Sequence, residues 1–297
     1  MTAPNVGNPT HPAVTNQLRL PRTAALGPGR GGQQRLLIDA PAGAAEIYLH
    51  GATVTSWVPR GGSEVIFTSR QAVFDGATAI RGGIPLCLPE FGVGINGDAV
   101  PKHGWARIAP WRLLTVTSTD GGGVRALLSV SRDRLTALYE VEVGKTLRLG
   151  LSLRNEGSEP RTVEAAAHTY LSVHDVRISG LEGAPYSDNL ARSPQEAHHV
   201  QEGDVTIHGP VDRIYDSAEP IIVTDPGHQR IIGIDKRNAP STIVWNPWST
   251  HSAPLPDMAN DEFPAMVCVE SGAVREHAPT IAPGASWSMQ VTLSVES

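Results

Sequence analysis

The chain has 297 residues, 40% of them apolar, and a formal net charge of −6. That is enough for a real core, in one large all-β domain or two small domains. No basic tail or Lys/Arg block is present, which argues against general nucleic-acid affinity. No apolar run approaches the roughly 20 residues needed to cross a bilayer, and the N-terminus lacks the apolar segment of a secretory signal. The two cysteines, Cys87 and Cys268, make no disulfide framework, so a soluble, cytoplasmic protein is expected.

Residues 1–33 are rich in Pro, Gly, Thr and Asn and read as a flexible extension or a strap over the domain surface. From residue 34 to 297 a single domain is expected, since no linker, fixed-period repeat or low-complexity tract interrupts it. Strand signals begin with RLLIDA (35–40), AEIYLHG (45–51), ATVTSWV (52–58) and EVIF (64–67), each bounded by Gly or Pro. WRLLTVTST (111–119) and VRALLSVS (124–131) flank Asp120-Gly121-Gly122-Gly123 and predict a hairpin. LYEVEV (138–143) and TLRLGLSLRN (146–155) follow. In the latter, Leu147, Leu149, Leu151 and Leu153 alternate with Arg148, Gly150, Ser152 and Arg154, a period-two strand with one apolar face. Further strands are expected at RTVEAAAHTYLSV (161–173), PIIVTD (220–225), QRIIGIDK (229–236), STIVWN (241–246), AMVCVES (265–271) and SWSMQVTLSV (286–295). With 30 Gly and 24 Pro and no sustained helical stripe, the fold class is all-β, a large antiparallel β-sandwich.

Several charged or titratable residues interrupt these apolar strands. AIRGGIPLCLPEFG (79–92) sets Arg81 before two glycines and two prolines, as if to hold a cation at the edge of the interior. KHGWAR (102–107) carries His103, Trp105 and Arg107. In AAAHTYLSV (165–173) small residues precede His168, and in AMVCVESG (265–272) Glu270 ends an apolar strand. Each has a bland alternative. His168 can be a strand histidine bonded to a carbonyl, Glu270 a strand-end carboxylate paired with Arg275, and the arginines structural partners of acids such as Glu90. Trp105, Trp245 and Trp248 can all be core. Together, however, an acid/base, a carboxylate, two guanidiniums and aromatic walls suit a sugar, and the arginine pair suits a phosphate. Metal-ligand spacing, a GxSxG elbow, a phosphate-binding GxxxxGK[ST] loop and a GxGxxG fingerprint are all missing from the sequence. Glu90, Asp212 and Glu270 leave paired-carboxylate hydrolysis open.

The series GATVTSW (51–57), RGGIPLCLPEFG (81–92), KHGWAR (102–107), HTYLSV (168–173), VDRIY (211–215), NPW (246–248) and VCVESG (267–272) resembles the glucose-6-phosphate 1-epimerases. These are hexose-phosphate mutarotases of the aldose 1-epimerase-like superfamily. The resemblance spans about residues 35–295; the N-terminal stretch lies outside it, and Glu90 stands where the family pattern commonly has glutamine. It implies a galactose mutarotase-like supersandwich, with His168 as general acid and Glu270 as general base. It also implies Arg81 and Arg107 facing a substrate phosphate, His103 and Asp212 lining the sugar hydroxyls, and no metal or organic cofactor. The implied partner is a small-molecule sugar phosphate, with neither nucleic acid nor membrane, and the implied assembly is a monomer or weak homodimer. On this view the arginines anchor the sugar and do no chemistry, while Gly82 and Gly83 let the backbone pass close to the ligand. Three rivals stay open: an epimerase of unphosphorylated aldoses, a non-catalytic sugar-phosphate sensor, and a lyase or hydrolase on a related sandwich.

Overall fold

A computed structural model of the chain describes residues 18–193 and 196–296. Nearly all of its regular structure is antiparallel strand, arranged in one eight-stranded sheet, one nine-stranded sheet and smaller pieces around them. The nine-stranded sheet runs through the strongest sequence signals: Arg112–Ser118, Val124–Arg132, Leu135–Val143, Leu147–Asn155 and Ser286–Glu296 are successive neighbours. The expected hairpin closes with Ser118 opposite Val124. Leu147, Leu149, Leu151 and Leu153 are all buried, whereas the residues between them are partly or fully open to solvent. Each such leucine contributes on the order of 1.5–3 kcal/mol of burial, which fixes the face this strand turns inward.

The eight-stranded sheet includes, in spatial order, Val211–Asp216, Ser241–Asn246, Met266–Ala273, Ala165–Ala167 and Leu86–Cys87. Its central strand, Met266–Ala273, is buried at every residue, so both of its faces are covered. The period of two divides them. Val267 and Val269 enter the main core with Leu149 and Leu151, whereas Met266 and Cys268 pack in a separate cluster with Phe67, Tyr170 and Met258. Glu270 shares the parity of Cys268 and therefore points to that second face.

Three local expectations need correction. EVIF (64–67) is not a strand; Ile66 makes only an isolated bridge to Leu171. RTVEAAAHTYLSV is broken into Arg161–Thr162, Ala165–Ala167 and Tyr170–Ser172; past Ala167 the chain leaves Leu86–Cys87 and is bonded to Val65 and Phe67 on that side, while keeping its register with the central strand. Residues 1–17 of the expected extension lie outside the described residues. Beyond them, Ala24–Pro28 is already the edge strand of a four-stranded sheet, paired with Gln34–Ala40. Residue 33 therefore does not mark the start of regular structure. Leu26 in this strand is 41% exposed, and an edge strand with so little to bury carries a weak sequence signal.

Candidate active site

The segment RGGIPLC is the scaffold of the site. Leu86 and Cys87 pair with Ala167 and Ala166, the Pro85 carbonyl accepts the His168 N–H (2.9 Å) and the Gly83 carbonyl accepts that of Tyr170 (3.0 Å). These bonds set His168 and Tyr170 two residues apart on one face, where their rings stack with centroids 4.8 Å apart and planes 10° from parallel. Gly82 and Gly83 do not lie there for a ligand. Both have positive φ, and a Cβ on Gly82 would stand 2.5 Å from the Phe67 carbonyl oxygen, one on Gly83 2.7 Å from that of Val54. The two glycines let this segment pass against neighbouring backbone.

Antiparallel register then brings the distant strand over. Ala165 faces Ala273 and Ala167 faces Ser271, which puts Glu270 beside His168. The imidazole Nε2 lies 3.4 Å from Glu270 Oε1, with the two side chains 9% and 1% exposed. Glu270 Oε2 and His168 Nδ1 are buried without a hydrogen-bond partner. Burial, followed by repulsion from His103 when that ring is protonated and from Arg107 and Arg81, pushes the His168 imidazole well below its usual range. Burial, followed by the charge of Asp212, pushes the Glu270 carboxyl well up, with Arg107 opposing. Both shifts have one physical cause: in a dry site, charge on either group is penalised. The pair therefore favours the neutral imidazole and neutral carboxylic acid, with one exchangeable proton between them.

A cavity of about 1080 Å³ opens onto this pair and is lined by all six residues singled out above: His168, Glu270, Arg81, Arg107, His103 and Asp212. Arg81 is pinned, its Nε donating to Asp257 (3.1 Å) and its Nη1 to the Tyr170 hydroxyl (3.1 Å). Its ion-pair partner is thus Asp257, not Glu90. Arg107 stands on the 3₁₀ turn Ala106–Ile108 and donates to the Lys102 carbonyl (2.9 Å). Among the described residues no carboxylate oxygen comes within 4.0 Å of it, so its charge is available to an anion. His103 Nδ1 accepts the Gly92 N–H (3.3 Å) and lies 3.2 Å from Cys87 Sγ, which puts the ring proton on Nε2. Burial, reinforced by Arg107, holds its pKa down to about 3. Asp212 accepts a hydrogen bond from the Asn189 amide (2.7 Å), and Asn189 in turn accepts one from Arg275 (2.6 Å). Arg275 therefore serves Asn189, and Glu270 is not its partner.

Other lining groups escaped the sequence reading. Tyr170 carries both the stack on His168 and a bond to Arg81. Its signal was position, two residues after His168 on the same face. Glu164, 2% exposed, accepts the N–H groups of Phe91 and Arg275 and so ties down two of the loops bordering the cavity. Of the tryptophans, Trp245 lines the cavity and Trp105 belongs to the core.

Comparison with known proteins identifies the family of the chain. The aldose 1-epimerase family model matches residues 34–294. A Cenchrus ciliaris protein named "Putative glucose-6-phosphate 1-epimerase" is 34% identical over 272 residues, 84% of this chain and 80% of that one. An Escherichia coli K12 protein of the same name is 30% identical over 254 residues, 81% and 83% of the two chains. The crystal structure of "a putative mutarotase (YeaD)" from Salmonella typhimurium superposes with a TM-score of 0.84 at 26% identity, covering 94% and 95% of the two chains. A galactose mutarotase-like protein from Clostridium acetobutylicum shares the fold at 12% identity and a TM-score of 0.68, over 92% and 98%. The chain belongs to the aldose 1-epimerase family and is an isomerase of the mutarotase type.

Proposed function

We propose that the chain interconverts the α and β anomers of a hexose 6-phosphate, D-glucose 6-phosphate foremost, by acid/base opening and reclosure of the pyranose ring without a cofactor. One observation carries the reading: His168 Nε2 and Glu270 Oε1 lie 3.4 Å apart in a cavity that also holds Arg81 and Arg107. Opening the ring removes the proton of the C1 hydroxyl and delivers one to the ring oxygen. Glu270 as carboxylate takes the first and His168 as imidazolium gives the second; after rotation about C1–C2, both transfers reverse on the other face. The free dyad favours the neutral pair, so it must become charge-separated over the cyclic sugar, against burial, and it returns to the neutral pair while the sugar is open. Arg107, with Arg81 beside it, supplies the charge that a phosphate dianion needs, and the anchored sugar keeps its aldehyde in place during rotation.

Two-dimensional exchange NMR on the anomers of glucose 6-phosphate and of glucose, at matched concentration, tests this. Faster exchange of the phosphorylated sugar is the expected result. Equal acceleration of both sugars would point to an epimerase of free aldoses. Calorimetric binding with no exchange would overturn the catalytic role.

A further inference from the structure

Cys268 takes no part in the proposed reaction, yet it sits directly beneath it. It shares a strand and a face with Glu270, two residues away, and pairs in register with Tyr170, two residues past His168. One donor atom from each of His168, Cys268 and Glu270 lies within 4.8 Å of the other two, and all three residues are buried. No motif spacing reveals this, because the His comes from a segment about a hundred residues away and the sheet register alone closes the triangle.

We propose that His168, Cys268 and Glu270 form an inhibitory site for a thiophilic divalent cation of the Zn²⁺ class. The inference rests on the reading of His168 and Glu270 as the working pair only for its consequence, inhibition; the binding itself does not need that reading. Imidazole nitrogen, thiolate sulfur and carboxylate oxygen are the three donor types Zn²⁺ takes, and three protein donors with a fourth position open is a familiar coordination. Bonds of about 2.0–2.3 Å at tetrahedral angles put donors about 3.3–3.6 Å apart, so side-chain adjustments of about 1 Å would close this set around an ion. Two polar atoms in the cluster wait for a partner: His168 Nδ1 and Glu270 Oε2 are buried and unbonded. Asp212, whose charge acts on Glu270, offsets the positive field of Arg107, and Arg81 is already paired with Asp257. The open coordination position faces the cavity through which the sugar enters, since His168 and Glu270 line it. An ion there ties up the nitrogen and the carboxylate that move protons, so metal and sugar phosphate exclude one another. Binding displaces two protons to solvent, that of the thiol and the one held between His168 and Glu270, because the coordinated groups are a thiolate, a carboxylate and a neutral imidazole.

The test uses the full-length protein freed of metal by a chelator and titrated with Zn²⁺ and, separately, with Co²⁺. One ion should bind per chain, and the Co²⁺ form should show a near-ultraviolet thiolate-to-cobalt charge-transfer band. Anomer exchange should fall as Zn²⁺ fills the site, recover with chelator, and resist Zn²⁺ when glucose 6-phosphate is raised. Cys268→Ala should lose the band and weaken Zn²⁺ binding about tenfold or more, while its exchange without metal stays within about twofold of wild type. A wild-type protein with no charge-transfer band, or a Cys268→Ala protein with unchanged Zn²⁺ affinity, overturns the site. Should Cys268→Ala not fold, the cobalt band of the wild type and its displacement by Zn²⁺ still decide the matter. A band without any exchange activity, with or without metal, sinks the catalytic reading and leaves the metal site standing.

Discussion

Glu270→Gln separates chemistry from packing at one position. The amide keeps the shape of the side chain but has no basic oxygen to take the C1 proton. At 1% exposure the residue admits no bulk water as a substitute base. Anomer exchange should therefore fall by the ~10²–10⁴-fold that a positioned acid/base group contributes, about 2.7–5.4 kcal/mol of barrier. Stability should move the other way. The folded protein holds the Glu270 carboxyl well above the ordinary glutamate value of 4.5, so above that pH the native state binds more protons than the unfolded one, and stability drains away as pH rises toward the raised value. Glutamine has no such titration. The variant should melt no lower than wild type at neutral pH, and its advantage should shrink as pH falls from the raised value toward 4.5, with no further change below it. Exchange spectroscopy on glucose 6-phosphate and thermal melts between about pH 4 and 9 read the two quantities on one sample. Near-wild-type exchange in the variant would refute the proton-transfer role. A variant that melts well below wild type at neutral pH would show that Glu270 is held as a charged structural partner instead.

His168→Ala should slow exchange to a similar degree, read in the same spectra, while leaving binding of the sugar phosphate measurable by calorimetry. Arg107→Ala should raise KM for glucose 6-phosphate far more than for glucose, because its charge has no competing carboxylate; equal effects on both sugars would remove its role as phosphate partner. Arg81→Ala should also weaken binding, and should in addition cost stability of about 1–3 kcal/mol, since it leaves Asp257 at 11% side-chain exposure without its cation. Denaturant titration of the two arginine variants should show this loss only for Arg81. Gly82→Ala should destabilise by about 1–3 kcal/mol or more, from a φ of +109° and a Cβ 2.5 Å from Phe67 O and Thr68 Cα; a melt unchanged from wild type would show that the backbone relaxes freely there.

What the sequence shows of this molecule follows from how far each signal reaches. The alternation of Leu147 to Leu153 is local, carries its own face assignment, and appears in the structure without a slip. Pro185–Asp188 and Val211–Asp216 went unread because their residues are polar or partly exposed and show no clean alternation. Asp212 was nevertheless singled out by its motif, and it reaches the cavity because Val211–Asp216 pairs Asp212 with Trp245. Charged or titratable residues inside or beside apolar runs singled out Arg81, His103, Arg107, His168 and Glu270, since burying such groups requires a reason, and all five line the cavity. Their partners were not legible, because Asp257 lies 176 positions from Arg81 and only the completed fold brings them together.

The arginines show most clearly why a residue-by-residue reading stops short. In sequence they divide neatly from the acid/base pair, a grip at one end of the sugar and chemistry at the other. In the folded protein Arg107 and Arg81 are among the groups that hold the His168 imidazole down. Electrostatic fields in a buried cavity reach well past contact distance, so the grip and the chemistry are not separate. On the proposed reading, a bound phosphate dianion cancels much of that positive field. It makes His168 a better base, more able to carry the proton it must give the ring oxygen. A free aldose fills the same cavity and leaves the field in place. The phosphate should therefore raise turnover as well as affinity, with inorganic phosphite supplied alongside glucose restoring part of the effect.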